Sequence, residues 1–294
     1  MSDEIKGMAL GFVGVAIFSV TLPATRIALT GFDAVTVGLG RAIVAALVAA
    51  VILAATRQPW PHRHWKRLLA VGLGVVVGFP LFASIAMESV PAAHGGVVLG
   101  VLPLATTAAG ALFGGERPSA GFWLLAALGG ALVVGFAVLR GAGGVQAADV
   151  WLLAAVVSAG TGYAVGGALS RDLGGWQVIC WALVVTLPVI VPPVLWALPG
   201  VAWRAAPAAA WAGFLYVALF SQLIGFFAWN RGLAIGGVAR VSQVQLLQLF
   251  MTLGFAAWLG GETIDAETLA FAVAVVATVA AGRKMPVRRA GSGA

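Results

Sequence analysis

Ten intervals without a charged side chain divide this chain from end to end, each at least 15 residues long: 7–25, 42–56, 68–87, 89–115, 118–139, 150–170, 173–203, 205–230, 241–261 and 268–282. A helix needs about 20 apolar residues to cross ~30 Å of hydrocarbon. The two 15-residue intervals reach that length by taking in neutral flanks or the snorkelling stems of Arg41 and Arg283. With 61% of residues from the set AVILMFWYC and 9% charged, a soluble chain of 294 residues has no interior large enough to hide its apolar surface. Barrel strands would alternate apolar and polar residues, and these intervals do not. The expectation is an all-α integral membrane protein with ten transmembrane helices joined by short loops.

The net charge of +7 invites a nucleic-acid reading, but its placement argues otherwise. With the N-terminus in the cytoplasm, 12 of the 17 basic residues fall in inward-facing segments, and the outward loops hold only Arg140 and Arg204. That is a positive-inside asymmetry, which puts both termini in the cytoplasm of a bacterial inner membrane. The basic excess is then an orientation signal, and no nucleic-acid partner is expected. Cys180, the one cysteine, lies within the seventh interval, so no intrachain disulfide is available. The first span lacks a clear cleavage site and is expected to be retained. Tryptophans such as Trp60, Trp65, Trp151, Trp176, Trp203 and Trp211 fall at span ends, where interfacial anchoring accounts for them.

A duplication organises the spans. "LFGGERP" (112–118) aligns with "WLGGETI" (258–264) at an offset of 146. "TGFDAV" (30–35) resembles "GGWQVI" (174–179) at an offset of 144. Each half carries five spans, and an odd number forces the two halves into opposite orientations. The chain therefore reads as two inverted five-helix repeats around a central cavity, 1–140 and 141–286, followed by a cytoplasmic tail, 287–294, whose terminal Gly-Ser-Gly-Ala is set aside. Glycine-rich runs at 71–80, 94–100 and 158–168 read as close helix contacts. Pro23, Pro80, Pro103 and Pro188 each remove a backbone donor inside or late in a span, which kinks its helix.

With ten spans in two halves, "AMESVPAAHGGVVLGVLPLATTAAGALFGGERP" (86–118) resembles the EamA family of the drug/metabolite transporter superfamily. The matching marks are Ala92 and Ala93 at a small-residue helix start, "LPL" at 102–104, and the Gly-Glu pair at 115–116. In the second copy they are Gly237, Ala239, Ser242 and Gly261-Glu262. One departure is Leu249, which stands where the first copy has Pro103. Within the family the chain is most similar to the bacterial YddG-type aromatic amino-acid exporters. The resemblance implies export of small metabolites through a cavity lined by the first, third, fourth, sixth, eighth and ninth spans.

The residues themselves place polar groups where that cavity would be. In "RVSQVQLLQLFMT" (240–252), Ser242, Gln245, Gln248 and Thr252 share one helix face within about 120°. Two roles are open to these amides: lining a water-filled cavity, or bonding across helices for ~1 kcal/mol each. Gln222 lies mid-way along the eighth span and Tyr163 in the sixth, with Phe18 in the first and Phe79 just before Pro80. Together Phe18, Phe79, Tyr163, Gln222, Ser242, Gln245 and Gln248 compose a mostly apolar pocket with few polar points, suited to a small neutral or zwitterionic molecule. No acidic residue is central in any span, which argues against cation/proton antiport. Arg26 and Arg41 are expected near the outer face, snorkelling, and His94 at the interface. Glu116 and Glu262 end corresponding spans as helix caps or ion-pair partners. No cofactor is expected: "PHRHWKR" (61–67) lacks the further ligands a metal needs. Catalytic constellations such as Gly-x-Ser-x-Gly or His-Glu-x-x-His are absent, so an exporter of aromatic or hydrophobic amino acids, working as a monomer, is favoured over an enzyme. A nucleotide sugar or a drug remains the alternative cargo. Phosphates would call for mid-membrane Arg or Lys, which the central segments are expected to lack.

Overall fold

The computed structural model describes residues 3–113, 116–140, 145–201, 203–236, 241 and 244–289. Eight helices among them are long and apolar enough to cross a membrane: α1 (Ile5–Leu29), α2 (Thr36–Ala55), α3 (Trp65–Met87), α4 (Ala92–Leu112), α5 (Ala120–Leu139), α6 (Ala147–Leu173), α7 (Gly175–Gly200) and α8 (Ala208–Ile235). Two shorter apolar helices follow, α9 (Gln245–Gly260) and α10 (Ala266–Gly282). The described residues of the apolar intervals are largely helical. Helix is not the whole content. A short antiparallel ribbon pairs β1 (Glu116–Pro118) with β2 (Val287–Arg289), so the start of the expected free tail is tied to the loop before α5. Three-residue strands carry no periodicity from which to foresee them.

The bundle has an apolar outer face and an interior that is mostly apolar too, with the polar side chains of its spans enclosed. Leu47, Val51, Leu124, Val157 and Trp196 stand exposed around it, while Arg41, Thr186, Gln222, Asn230 and Gln245 are buried. An apolar outer face with the polar groups enclosed is what surrounding hydrocarbon demands.

Several helices are interrupted, for reasons partly written in the chain. In α1 the helical bonding breaks at Val20, and Pro23 is the third residue of the second piece. In α4 it breaks after Leu99 and resumes at Leu102, with Pro103 next. In α3 a π-helical stretch, Gly72–Gly78, runs into Pro80. A proline has no N–H for the preceding turn, so a break or a wider turn relieves the mismatch. Pro188 behaves otherwise: with Pro192 and Pro193 it lies inside one unbroken helix. Two further π-helical stretches, Thr36–Gly40 in α2 and Tyr216–Ile224 in α8, contain no proline and had no sequence signal.

Most of the close helix pairings join the first five helices to the last five: α1 with α8, α3 with α6, α4 with α6, α2 with α7, α3 with α7, α1 with α9, α5 with α10, α2 with α8 and α4 with α9, while α2 with α3 and α7 with α8 pair within a half. Exchanging α1–α5 for α6–α10 leaves this set of pairs unchanged. The π-helical stretches of α3 and α8 are likewise equivalent, since 72–78 falls on 216–224 at an offset of 144–146. The glycine-rich runs do serve close approach. A Cβ on Gly74 of α3 would stand 2.6 Å from the Ser158 carbonyl oxygen and 2.9 Å from Gly162 Cα of α6.

Polar contacts secure one end of the bundle. Glu262, between α9 and α10, accepts hydrogen bonds from the backbone N–H groups of Ala92 (2.7 Å) and Ala93 (2.9 Å), capping α4 from the other half of the chain. Arg26 donates to the Val90 carbonyl, and its Nε lies 3.7 Å from the Glu262 carboxylate. One turn into α4, His94 is buried, with Nε2 2.6 Å from Asp149 Oδ1. His94 is thus not an interfacial side chain. Its partner lies 55 positions away and comes beside it only when α6 packs on α4. Glu262→Gln keeps one acceptor and removes the charge, and is expected to lower stability by about 1–2 kcal/mol. A thermal melt of the purified variant in detergent checks this; an unchanged midpoint would mean the cap contributes nothing.

Candidate functional site

A cavity opens where the interrupted helices converge. The break in α1 brings Phe18, Thr21 and Leu22 to its wall, and the break in α4 brings Gly96, Gly100 and Pro103. The π-helical turns contribute Val75 from α3 and Ser221 and Gln222 from α8, with Phe226 one turn further on. Gln245, Gln248 and Thr252 of α9 face it from one side, and Tyr163 of α6 from another. Irregular backbone inside a membrane protein is tolerated where it is buried or lines a cavity, because water or a ligand can satisfy freed groups there.

Of the residues picked from sequence, Phe18, Phe79, Tyr163, Gln222, Gln245 and Gln248 all line this one cavity. Ser242 lies outside the described residues. The aromatic members form a continuous wall. The Phe18 and Phe226 rings are 5.1 Å apart, edge to face, and Tyr163 lies 6.0 Å from Phe226. Gln222 fills both roles left open for such amides: it borders the cavity, and its Nε2 donates to the Val75 carbonyl at 3.1 Å, fastening α8 to α3. The Thr21 and Ser221 hydroxyls, 2.8 Å apart, join α1 to α8 at the cavity edge.

The free space is small. The centre of a water molecule can move within about 40 Å³, room for roughly three waters. A phenylalanine-sized guest enters only if the walls part. A second, wider hollow of about 530 Å³ lies at the capped end, beside His94, Gln146 and Glu262.

No Asp or Glu is among the described cavity residues, but the cavity is not uncharged. Arg41 lines it and is only 2% exposed. The snorkelling reading of Arg41 does not stand, nor does the exclusion of anionic cargo for want of a buried base. The charge-free interval at 42–56 placed Arg41 at a helix edge. The helix in fact starts at Thr36, five residues earlier, and the π-helical turn Thr36–Gly40 immediately precedes Arg41. Sequence reasoning also missed Phe226 and Ser221. Phe226 had a usable signal, lying four residues after Gln222 and so on the same helical face. Among the described residues no group of three or more His, Cys, Asp or Glu is placed to hold a metal ion.

Broken helices meeting at a small aromatic and polar cavity inside an apolar bundle define a multi-pass membrane protein built like a solute carrier. The EamA-like transporter family matches residues 5–138 and again residues 146–281, and the chain belongs to that family. An uncharacterised transporter of Bacillus subtilis (strain 168), YdeK, is 45% identical over 285 residues, spanning 97% of this chain and 99% of its own. A protein of known crystal structure shares the fold at a TM-score of 0.61 and 19% identity, over 95% of this chain and 97% of the other.

Proposed function

We propose that this transporter exports small neutral or zwitterionic metabolites, aromatic or hydrophobic amino acids first, from the cytoplasm by alternating access. The observation that carries the reading is the cavity wall: Phe18, Phe226 and Tyr163 share it with the amides of Gln245 and Gln248, and none of its described residues is acidic. Aromatic faces suit a flat apolar side chain, and amides offer both donors and acceptors to a polar head. The two halves, 1–140 and 141–286, act as inverted five-span repeats in a ten-span bundle. The double family match and the exchange symmetry of the helix pairings both support that arrangement. The protein works as a monomer in the bacterial inner membrane with both termini cytoplasmic, in keeping with its basic loops. Without a carboxylate in the cavity, transport runs down the substrate's own gradient. Among the aromatic amino-acid exporters, the YddG-type group is the nearest functional parallel by sequence character.

The test is counterflow in proteoliposomes with a panel of labelled amino acids. Phenylalanine, tyrosine and tryptophan are expected to exchange faster than lysine or glutamate. Gln245→Ala and Gln248→Ala are each expected to weaken apparent affinity by about tenfold, the cost of one hydrogen bond of ~1.4 kcal/mol. Wild-type transport in both folded variants would remove these amides from the site. Uphill transport driven only by a pH gradient would overturn the uncoupled mechanism.

A further inference from the structure

We propose that Arg41 is the anion-binding group of the transport site and that cargo is held in the cavity by a carboxylate seated on its guanidinium. This takes its location from the function proposed above and adds a chemical requirement on the cargo. Arg41 is 2% exposed and lines the cavity, and its Nε has no hydrogen-bond partner. Among the described residues no acidic side chain shares the cavity wall, and no ion pair includes Arg41. A buried cation without a counter-charge is unfavourable by several kcal/mol, so the site is complete only when an anion enters. Snorkelling does not account for it. Arg41 sits five residues, ~7.5 Å, inside the helix start, within an arginine's reach of the interface, yet the side chain remains enclosed.

The identity of the anion follows from the surroundings. One guanidinium presents a planar fork that matches one carboxylate, and no second basic residue is among the described residues of the cavity wall to balance the second charge of a phosphate. The Phe18, Phe226 and Tyr163 rings leave an apolar space for the rest of the molecule. No described residue of the wall offers a full negative charge to an ammonium. The carboxylate is therefore the required head and the ammonium is dispensable.

Four probes separate these features: L-phenylalanine, 3-phenylpropionate (carboxylate only), phenethylamine (ammonium only) and phenyl phosphate. Each is titrated by calorimetry against purified protein, wild type and Arg41→Gln. 3-Phenylpropionate is expected to bind within about tenfold of L-phenylalanine, and phenethylamine at least about tenfold more weakly than either. Arg41→Gln is expected to weaken both carboxylates by about 100-fold, in line with loss of a charge-assisted pair. Arg41→Lys, which keeps the charge but not the fork, should recover part of that loss. Removing an unpartnered buried charge should leave the melting temperature of Arg41→Gln unchanged or higher; a fall would mark a structural arginine and overturn the proposal. So would phenethylamine binding as well as 3-phenylpropionate, absence of binding by both carboxylates, or tighter Arg41-dependent binding of phenyl phosphate. Arg41-dependent binding of 3-phenylpropionate with no L-phenylalanine counterflow would defeat the amino-acid reading and leave this one standing. L-Phenylalanine counterflow unaffected by Arg41→Gln would do the reverse.

Discussion

Asp149→Ala is expected to destabilise the protein by about 3–5 kcal/mol, the cost of removing one partner from a buried pair. Asp149 is 3% exposed and His94 8%, with Nε2 and Oδ1 2.6 Å apart. The same carboxylate accepts from the Gln146 backbone N–H at 2.9 Å and so caps α6. Its loss strands the imidazole of α4 and uncaps α6 together. Asp149→Asn preserves the shape and much of the hydrogen bonding, and should lose about half as much. The pair also allows a sharper check. His94→Leu combined with Asp149→Leu removes both halves of the pair, leaving unpaired only the Gln146 N–H that Asp149→Leu also frees, and should be more stable than Asp149→Leu alone. Melting curves for the four proteins in one detergent measure the coupling. If the double variant loses the sum of the two singles, the pair is not an interacting unit.

Gly74→Leu is expected to prevent correct packing of α3 on α6, at a cost of about 3 kcal/mol or more. Overpacking by a few methyl groups usually costs 1–3 kcal/mol because side chains can shift. Here the obstacle is backbone: the Ser158 carbonyl oxygen and the Gly162 Cα and N all lie within 3 Å of the Cβ position. The helices must separate along the contact that carries Val75 and Tyr163 to the cavity. Loss of transport should therefore accompany the fall in melting temperature. Gly130, in α5, is the control. A Cβ there meets nothing within 4 Å, so Gly130→Ala should leave the fold unchanged or add about 0.5–1 kcal/mol through helix propensity. Equal behaviour of the two variants would show that close approach at Gly74 is not a stability determinant.

What could be foreseen in the chain depended on how local the governing physics was. Hydropathy is a property of consecutive residues, so the apolar intervals became helices. Pro23, Pro80 and Pro103 act on their own turn, so the interruptions near them were legible too. The shared face of Gln245, Gln248 and Thr252 followed from the helical period alone, and all three line one cavity. The π-helical turns of α2 and α8 had no such marker, because their cause is packing against other helices.

The charged groups divide along the same line. Sequence by itself determined that this is a membrane bundle, which residues are too polar to face lipid, and that no acid is central to a span. Tertiary structure alone decided where each charge resides. It enclosed Arg41 in the cavity when position had suggested the interface. It set His94 against Asp149 across 55 residues, and Glu262 over the start of α4 across 170. A side chain's hydrophobicity is carried by the residue itself, whereas its electrostatic partner is fixed only when distant helices pack together.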